Sequence, residues 1–206
     1  IKPGYMQQWN FNIQREVGGG FVIDAAYAGS KGSRLPHGVN LNQLPNEILS
    51  LGAALNDPVP NPFFGLVTAG PLSGETITRR QTLLPYPQFT GVSTPLAPVG
   101  SSTYHAFQLK AGHRFPTAGL LSVAYTLSKS ITDTESFTGW LEPGGQNGGY
   151  YDQYNRSLDK SLANFDATHR LVVSYNYELP FGRGKALLGD AKGIGATILS
   201  GWQING

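Results

Sequence analysis

Six stretches of the chain alternate apolar and polar residues with a period of two, and this pattern constrains the fold more than any other feature. Tyr5, Trp9, Phe11, Ile13 and Val17 share one parity, and Gln8, Asn10, Asn12, Gln14 and Glu16 share the other. Successive strand side chains point to opposite faces, so such a segment shows one aromatic and aliphatic face and one amide-rich face. After Gly18-Gly19-Gly20, a hairpin signal, Phe21, Ile23, Ala25 and Tyr27 oppose Asp24 and Ala26. His105, Phe107, Leu109, Ala111 and Phe115 oppose Gln108, Lys110, Gly112 and Arg114; past the turn Pro116-Thr117-Ala118-Gly119, Leu121, Val123, Tyr125 and Leu127 oppose Ser122, Ala124, Thr126 and Ser128. Leu171, Val173, Tyr175, Tyr177 and Leu179 oppose Arg170, Val172, Ser174, Asn176 and Glu178, and Trp202 and Ile204 oppose Gln203 and Asn205. The reading is all-β and antiparallel, with strands near residues 5–17, 21–29, 104–115, 120–130, 168–179 and 201–206.

The connections sharpen this reading. Two turns take only a few residues, whereas links 30–103 and 131–167 are long. Structureless loops beyond about 15 residues are uncommon in compact domains. Strands of about 10 residues with short turns at one end and long loops at the other match a transmembrane β-barrel, with lipid on one parity and the lumen on the other. Composition agrees: charged residues make up 14% of the chain, against about 25% for a soluble domain. The polar faces carry amides, hydroxyls and glycine rather than the Lys and Glu that guard soluble sheets. Aromatics recur at strand ends (Tyr5, Phe21, Tyr27, Phe115, Phe181, Trp202), where an interfacial girdle would stand. The competing reading is a soluble antiparallel sheet, whose strands also alternate. Short helices are expected over 45–55, with Pro45 in the first turn, and between Pro180 and Ser200, where Gly189, Gly193 and Gly195 weaken the helical spacing. A chain that opens at Ile1 and stops at Gly206 within a strand is expected to be a piece of a longer protein.

Several functions are excluded or left without support. A net charge of +2 without a basic cluster argues against a nucleic-acid partner. With no cysteine there is no disulfide frame, thiolate metal site or thiol nucleophile. His37, His105, His113 and His169 form no His-x-His or His-Glu-x-x-His, so no metal is expected. Gly193-Ile194-Gly195 lacks the third glycine of a dinucleotide loop, Gly182-Arg183-Gly184-Lys185 is no P-loop, and no Gly-x-Ser-x-Gly elbow appears. The acidic residues of the second loop, Asp152 among them, lack the tight spacing of a calcium loop. No catalytic residue and no cofactor are expected.

Particular stretches point to a family. Tyr5-Met6-Gln7-Gln8-Trp9-Asn10 and Ala26-Tyr27-Ala28-Gly29-Ser30-Lys31-Gly32 resemble the barrel of TonB-dependent outer-membrane receptors. So do Val59-Pro60-Asn61-Pro62-Phe63-Phe64-Gly65, Leu83-Leu84-Pro85-Tyr86-Pro87-Gln88-Phe89, Tyr125-Thr126-Leu127-Ser128-Lys129-Ser130, Phe165-Asp166-Ala167-Thr168-His169-Arg170 and Tyr177-Glu178-Leu179-Pro180-Phe181-Gly182-Arg183. The branch they resemble is the Oar-like proteins with a carboxypeptidase-regulatory-like N-terminal domain, abundant in the Acidobacteria. The resemblance implies a barrel of roughly 22 strands, filled by a plug, energised through a TonB-type partner and set in outer-membrane lipid. It implies passage of a bulky solute without covalent chemistry. The runner-up is a non-transporting surface barrel or adhesin with glycan- or partner-binding loops, and the third is a soluble carbohydrate-binding domain.

Candidate site residues follow from these readings. The lumen-facing parity offers Asp24, Gln108, Lys110, Arg114, Arg170, Asn176 and Glu178. In a plugged barrel they would bond the plug or line a solute path; the alternative is cross-strand pairing that satisfies buried charge. Phe63, Phe64, Trp140, Tyr150 and Tyr151 are the loop aromatics suited to capturing a ligand or, equally, to packing the loops on themselves. Asp166, where the second loop enters a strand, is expected to tie that junction.

Overall fold

The alternating segments form the long strands of one sheet. The computed structural model describes residues 2–116, 119–134, 149–190 and 193–206. Its elements are β1 (Tyr5–Glu16), β2 (Phe21–Asn40), a 3₁₀ helix (Asn46–Asn56), β3 (Pro58–Pro60), β4 (Thr76–Thr78), α1 (Arg79–Thr82), β5 (Ser93–Phe115) and β6 (Gly119–Thr132). A second 3₁₀ turn (Arg156–Asp159), β7 (Ser161–Leu162), β8 (His169–Glu178), α2 (Ile194–Leu199) and β9 (Gln203–Asn205) complete them. The large sheet runs β1-β2-β5-β6-β8-β9, with β7 added to β6, and β3 pairs with β4 in a separate ribbon. The sheet is open: β1 and β9 end the path without pairing to each other.

The chain divides into a sheet unit (residues 8–30, 104–130 and 165–206) and a loop unit (1–7, 31–103 and 131–164). In the sheet unit the register aligns the parities. Leu121 lies opposite Tyr175, Val123 opposite Val173 and Tyr125 opposite Leu171, while Ser122 faces Ser174 and Thr126 faces Arg170. Tyr177 then pairs with Ile204 and Glu178 with Gln203. A slip of one residue would move every apolar side chain to the other face. Gly18, Gly19 and Gly20 all adopt positive φ (69°, 60° and 79°), which glycine supplies at no steric cost. Trp9 lies against Gly29, where an added Cβ would meet the indole.

The sheet unit builds no dry core of its own. β1 is exposed along its whole length, Phe11 and Leu171 are each 65% exposed, and no described residue of this unit forms a second layer over the apolar parity. Among the described residues, the buried hydrophobic side chains Leu44, Leu55, Leu72, Ile77, Tyr150 and Ala163 all belong to the loop unit; Ala106 alone belongs to the sheet unit. A soluble sandwich would bury that face against another layer. Here it is left for an apolar medium.

The strands overrun the expected limits. β2 reaches Asn40 rather than 29, and β5 starts at Ser93 rather than 104. Residues 30–40 and 93–103 were expected in the loop because their apolar alternation stops there. A backbone ladder needs no apolar side chain, so pairing continues past the end of the pattern, even through Pro36, Pro95 and Pro98. β9 is shorter than expected, and β7 was not foreseen.

The first expected helix is present as a 3₁₀ element led by Pro45, with a break at Gly52 (φ 51°). The second is confined to Ile194–Leu199; Leu187, expected on it, instead bridges to Phe181. Asparagines organise the loop unit. The Asn42 amide donates to the Tyr86 and Phe89 carbonyls and accepts from Tyr86 N–H. Asn61 donates to the Leu72 and Gly74 carbonyls and accepts from Phe63 N–H. Each ties distant segments by satisfying buried backbone groups, which irregular chain must do somewhere.

Candidate functional site

The polar parity of the sheet unit forms a shallow cavity of about 200 Å³ near the short turns, lined in part by Gln14, Asp24, Lys110, Arg114 and Ser122. All five are even-numbered, as the pleat requires for one face. Three of the seven expected lumen residues are thus brought together. Asn176 lies opposite Leu120, another lining residue, so it shares this face. Arg170 is six residues further along β8, about 20 Å at strand rise, and belongs to the other end of the face. Gln108 is exposed and shares the parity without lining the cavity.

Their partners divide them into two groups. Asp24 accepts a hydrogen bond from the Asn12 amide (2.7 Å), Asn176 donates to Gln203 (3.3 Å), and Glu178 pairs with Lys185 (2.9 Å). These three are satisfied by neighbouring segments. The other ion pair among the described residues is Arg79–Asp57. Lys110, Arg114 and Arg170 therefore have no carboxylate partner among the described residues, and all three are exposed. The cavity thus holds two cations that form no ion pair among the described residues, together with the Asp24 carboxylate.

The apolar parity holds histidines whose partners sequence alone did not reveal. Tyr27 Oη and His105 Nδ1 lie 2.7 Å apart, as do Tyr125 Oη and His169 Nδ1. His113 packs between Phe21 and Phe115, at ring separations of 4.0 and 4.3 Å, and contacts the Gly19 carbonyl through Nε2. His105 and His169 are thereby partnered through Nδ1 on an otherwise apolar face, whereas His113 is partnered through Nε2 alone and its buried Nδ1 has no hydrogen-bond partner among the described residues. His105 and His113 are eight residues apart, about 27 Å along a strand. A strand tilt of about 35–45° reduces this to roughly 20 Å, near the roughly 25 Å apolar band of an outer-membrane barrel. The pairs arise from cross-strand register, which a single sequence does not display.

The expected loop aromatics do not act alike. Phe64 is 54% exposed, Phe63 is half-buried, and the two sit in a turn closed onto Val67. Tyr150 is 6% exposed and belongs to the core of the loop unit, against His37 (4.5 Å) and the Arg156 guanidinium (5.7 Å). Burial, with Asp133 nearby, pushes its phenol up to about 12. Tyr151 is 85% exposed. Trp140 lies outside the described residues. Tyr150 and Tyr151 both line a cavity of about 580 Å³ in the loop unit.

Two carboxylates tie the loops. Asp152 accepts from the Asn46 amide (2.7 Å), the Gln43 amide (3.2 Å) and Tyr154 N–H (2.8 Å). The Asn46 bond contributes most to holding its carboxyl below the ordinary carboxylate range. Asp166 accepts from Ser130 N–H and the Thr168 hydroxyl, which is the expected tie at that junction. Among the described residues no three His, Asp or Glu converge as a metal site would require.

The outer membrane beta barrel domain family model matches residues 1–206, and the chain belongs to this family. Comparisons with curated proteins and with solved structures gave no match. Membership places the chain in the bacterial outer membrane and gives the uncovered apolar face its medium. No described helix is long and apolar enough to cross a membrane; the strands do so.

Proposed function

We propose that this chain is a barrel segment of a TonB-dependent, Oar-like receptor, which passes a bulky solute across the outer membrane without a covalent step. One observation supports the reading beyond an outer-membrane barrel: Lys110 and Arg114 line a cavity on the polar face of the sheet, and neither forms an ion pair among the described residues. Charge on a low-dielectric wall is costly unless it is paired or hydrated. A lumen-filling plug with acidic residues would pair these cations when seated and release them as it moves. The sequence resemblance to the Oar-like branch supports the same reading, as do the long loops, which suit solute capture at the surface. Lipid surrounds the apolar parity, and a plug and a TonB-type energising protein are the protein partners.

The test places a photo-crosslinking residue at Lys110 or Arg114 in the full-length protein in native outer membranes. The expected product joins the barrel to a plug of the same polypeptide, and its yield falls when a TonB-type protein is energised. Crosslinks to lipid alone, or yields indifferent to the proton-motive force, would contradict the reading.

A further inference from the structure

The loop unit contains a second concavity that the lumen cluster does not involve. Its volume of about 580 Å³ is in the range of small-molecule sites, roughly 300–1,000 Å³. Asn40, Asn46, Asn56, Arg80 and Tyr151 line it, with Leu49 and Leu55 among the apolar residues. All belong to the loop unit, so the cavity is complete within one body.

Its polar groups are only partly used. Asn46 donates to Asp152, which leaves its amide oxygen open. Asn40 accepts from Asn42 N–H, which leaves its amide nitrogen open. The Asn56 amide, the Arg80 guanidinium and the Tyr151 hydroxyl have no hydrogen-bond or ion-pair partner among the described residues. The adjacent Arg79 is committed to Asp57 (3.5 Å), so Arg80 is the open cation of this pair. Asp152 is held by the three donors already described, which fixes the wall beneath Tyr151.

We infer that this cavity binds a carbohydrate unit. A sugar presents a dense set of hydroxyls, each able to donate and accept. The cavity offers open donors (Asn40, Asn56, Arg80) and open acceptors (Asn46, Asn56) on separate planar groups, the arrangement that reads vicinal hydroxyls. The Arg80 fork matches a pair of adjacent oxygens, whether two hydroxyls or a uronate carboxylate. The C–H face of a sugar ring is apolar, and the exposed Tyr151 ring with the Leu49 and Leu55 side chains supplies a surface for it. An extended peptide has a backbone that needs a strand edge or a matched ladder, and the cavity walls present side-chain amides instead. The inference deepens the receptor reading by naming a class of solute for its loops, and rests on that reading only for the step after capture.

The test titrates the full-length protein, in a sugar-free amine-oxide detergent, against a panel of neutral and uronate-bearing oligosaccharides with an alanine oligopeptide as control. At least one oligosaccharide is expected to bind. Arg80→Ala and Tyr151→Ala should each weaken it about tenfold, the scale of one lost polar or stacking contact. Leu66→Ala, exposed and outside the cavity, should leave it unchanged. Heat-modifiable gel migration reports that each variant keeps its barrel. Uronate-selective binding assigns Arg80 to a carboxylate, and equal binding of neutral sugars assigns it to a hydroxyl pair. The inference is overturned if no oligosaccharide binds, if the peptide binds in their place, or if binding survives both substitutions. Binding is read without membrane energisation, so its failure leaves transport standing, and a failure of transport leaves binding measurable.

Discussion

At the scale of single residues, Asp152 couples its part of the loop unit to acid. Its folded carboxyl titrates below the ordinary carboxylate value, chiefly through the Asn46 hydrogen bond. A lowered folded value means that the stabilisation is fully present above the unfolded value, about 3.9, and is lost as pH falls through the folded one. Hydrogen exchange at Gln153 and Tyr154, corrected for intrinsic rates, should therefore stay slow from pH 7 to pH 5 and quicken below about pH 4. Asp152→Asn should exchange fast at neutral pH already. Pattern reading singled out Asp152 only as an acidic loop residue, because its partners Gln43 and Asn46 lie more than a hundred residues away in sequence. Asn42 and Asn61 gave no sign either, although their partners lie nearer in sequence. An asparagine that bonds remote carbonyls looks, in sequence, like any polar loop residue. Tyr150 is the opposite case: capture and packing were both open for it, and it lies buried in the core of the loop unit, because nothing local separates an exposed loop aromatic from a core one.

At the scale of elements, parity is the property to test. Phe107 on β5 and Val173 on β8 belong to the apolar face, and Gln108 to the polar one. Arginine at the first two should each cost about 2–4 kcal/mol in barrel stability if they lie near mid-bilayer. Gln108→Arg, one residue from Phe107, should cost little. Denaturant unfolding from lipid vesicles measures all three, and equal costs on both faces would refute the assignment. The strands themselves were legible because lipid on one side and lumen on the other imprint a period of two that survives without an alignment. Their true ends were not legible, since β2, β5 and β6 continue past the last apolar residue of the pattern, joined there also by Lys31 to Thr103 and Thr132 to Ser101. The short helices were legible in position, from Pro45 and the spacing after Gly189, but not in extent. Gly52 breaks the first, and the second begins only at Ile194.

At the scale of the whole molecule, the chain is a sheet unit without a core and a loop unit with one. A charge content of 14% is low for a soluble protein because half of each strand meets lipid and the other half uses amides and hydroxyls. Among the described residues the large sheet ends on β1 and β9. The absence of cysteine from this chain permits the most direct test of the central claim, that odd-numbered residues of the long strands face lipid and even-numbered ones the lumen. Single cysteines at 107–114 on β5, spin-labelled in reconstituted full-length protein, can be read for collision with oxygen, which partitions into lipid, and with a water-soluble nickel chelate. The account predicts strict alternation: oxygen dominates at positions 107, 109 and 111, and the water-soluble reagent at 108, 110, 112 and 114. Uniform accessibility along β5, or oxygen dominating at the even positions, would contradict it.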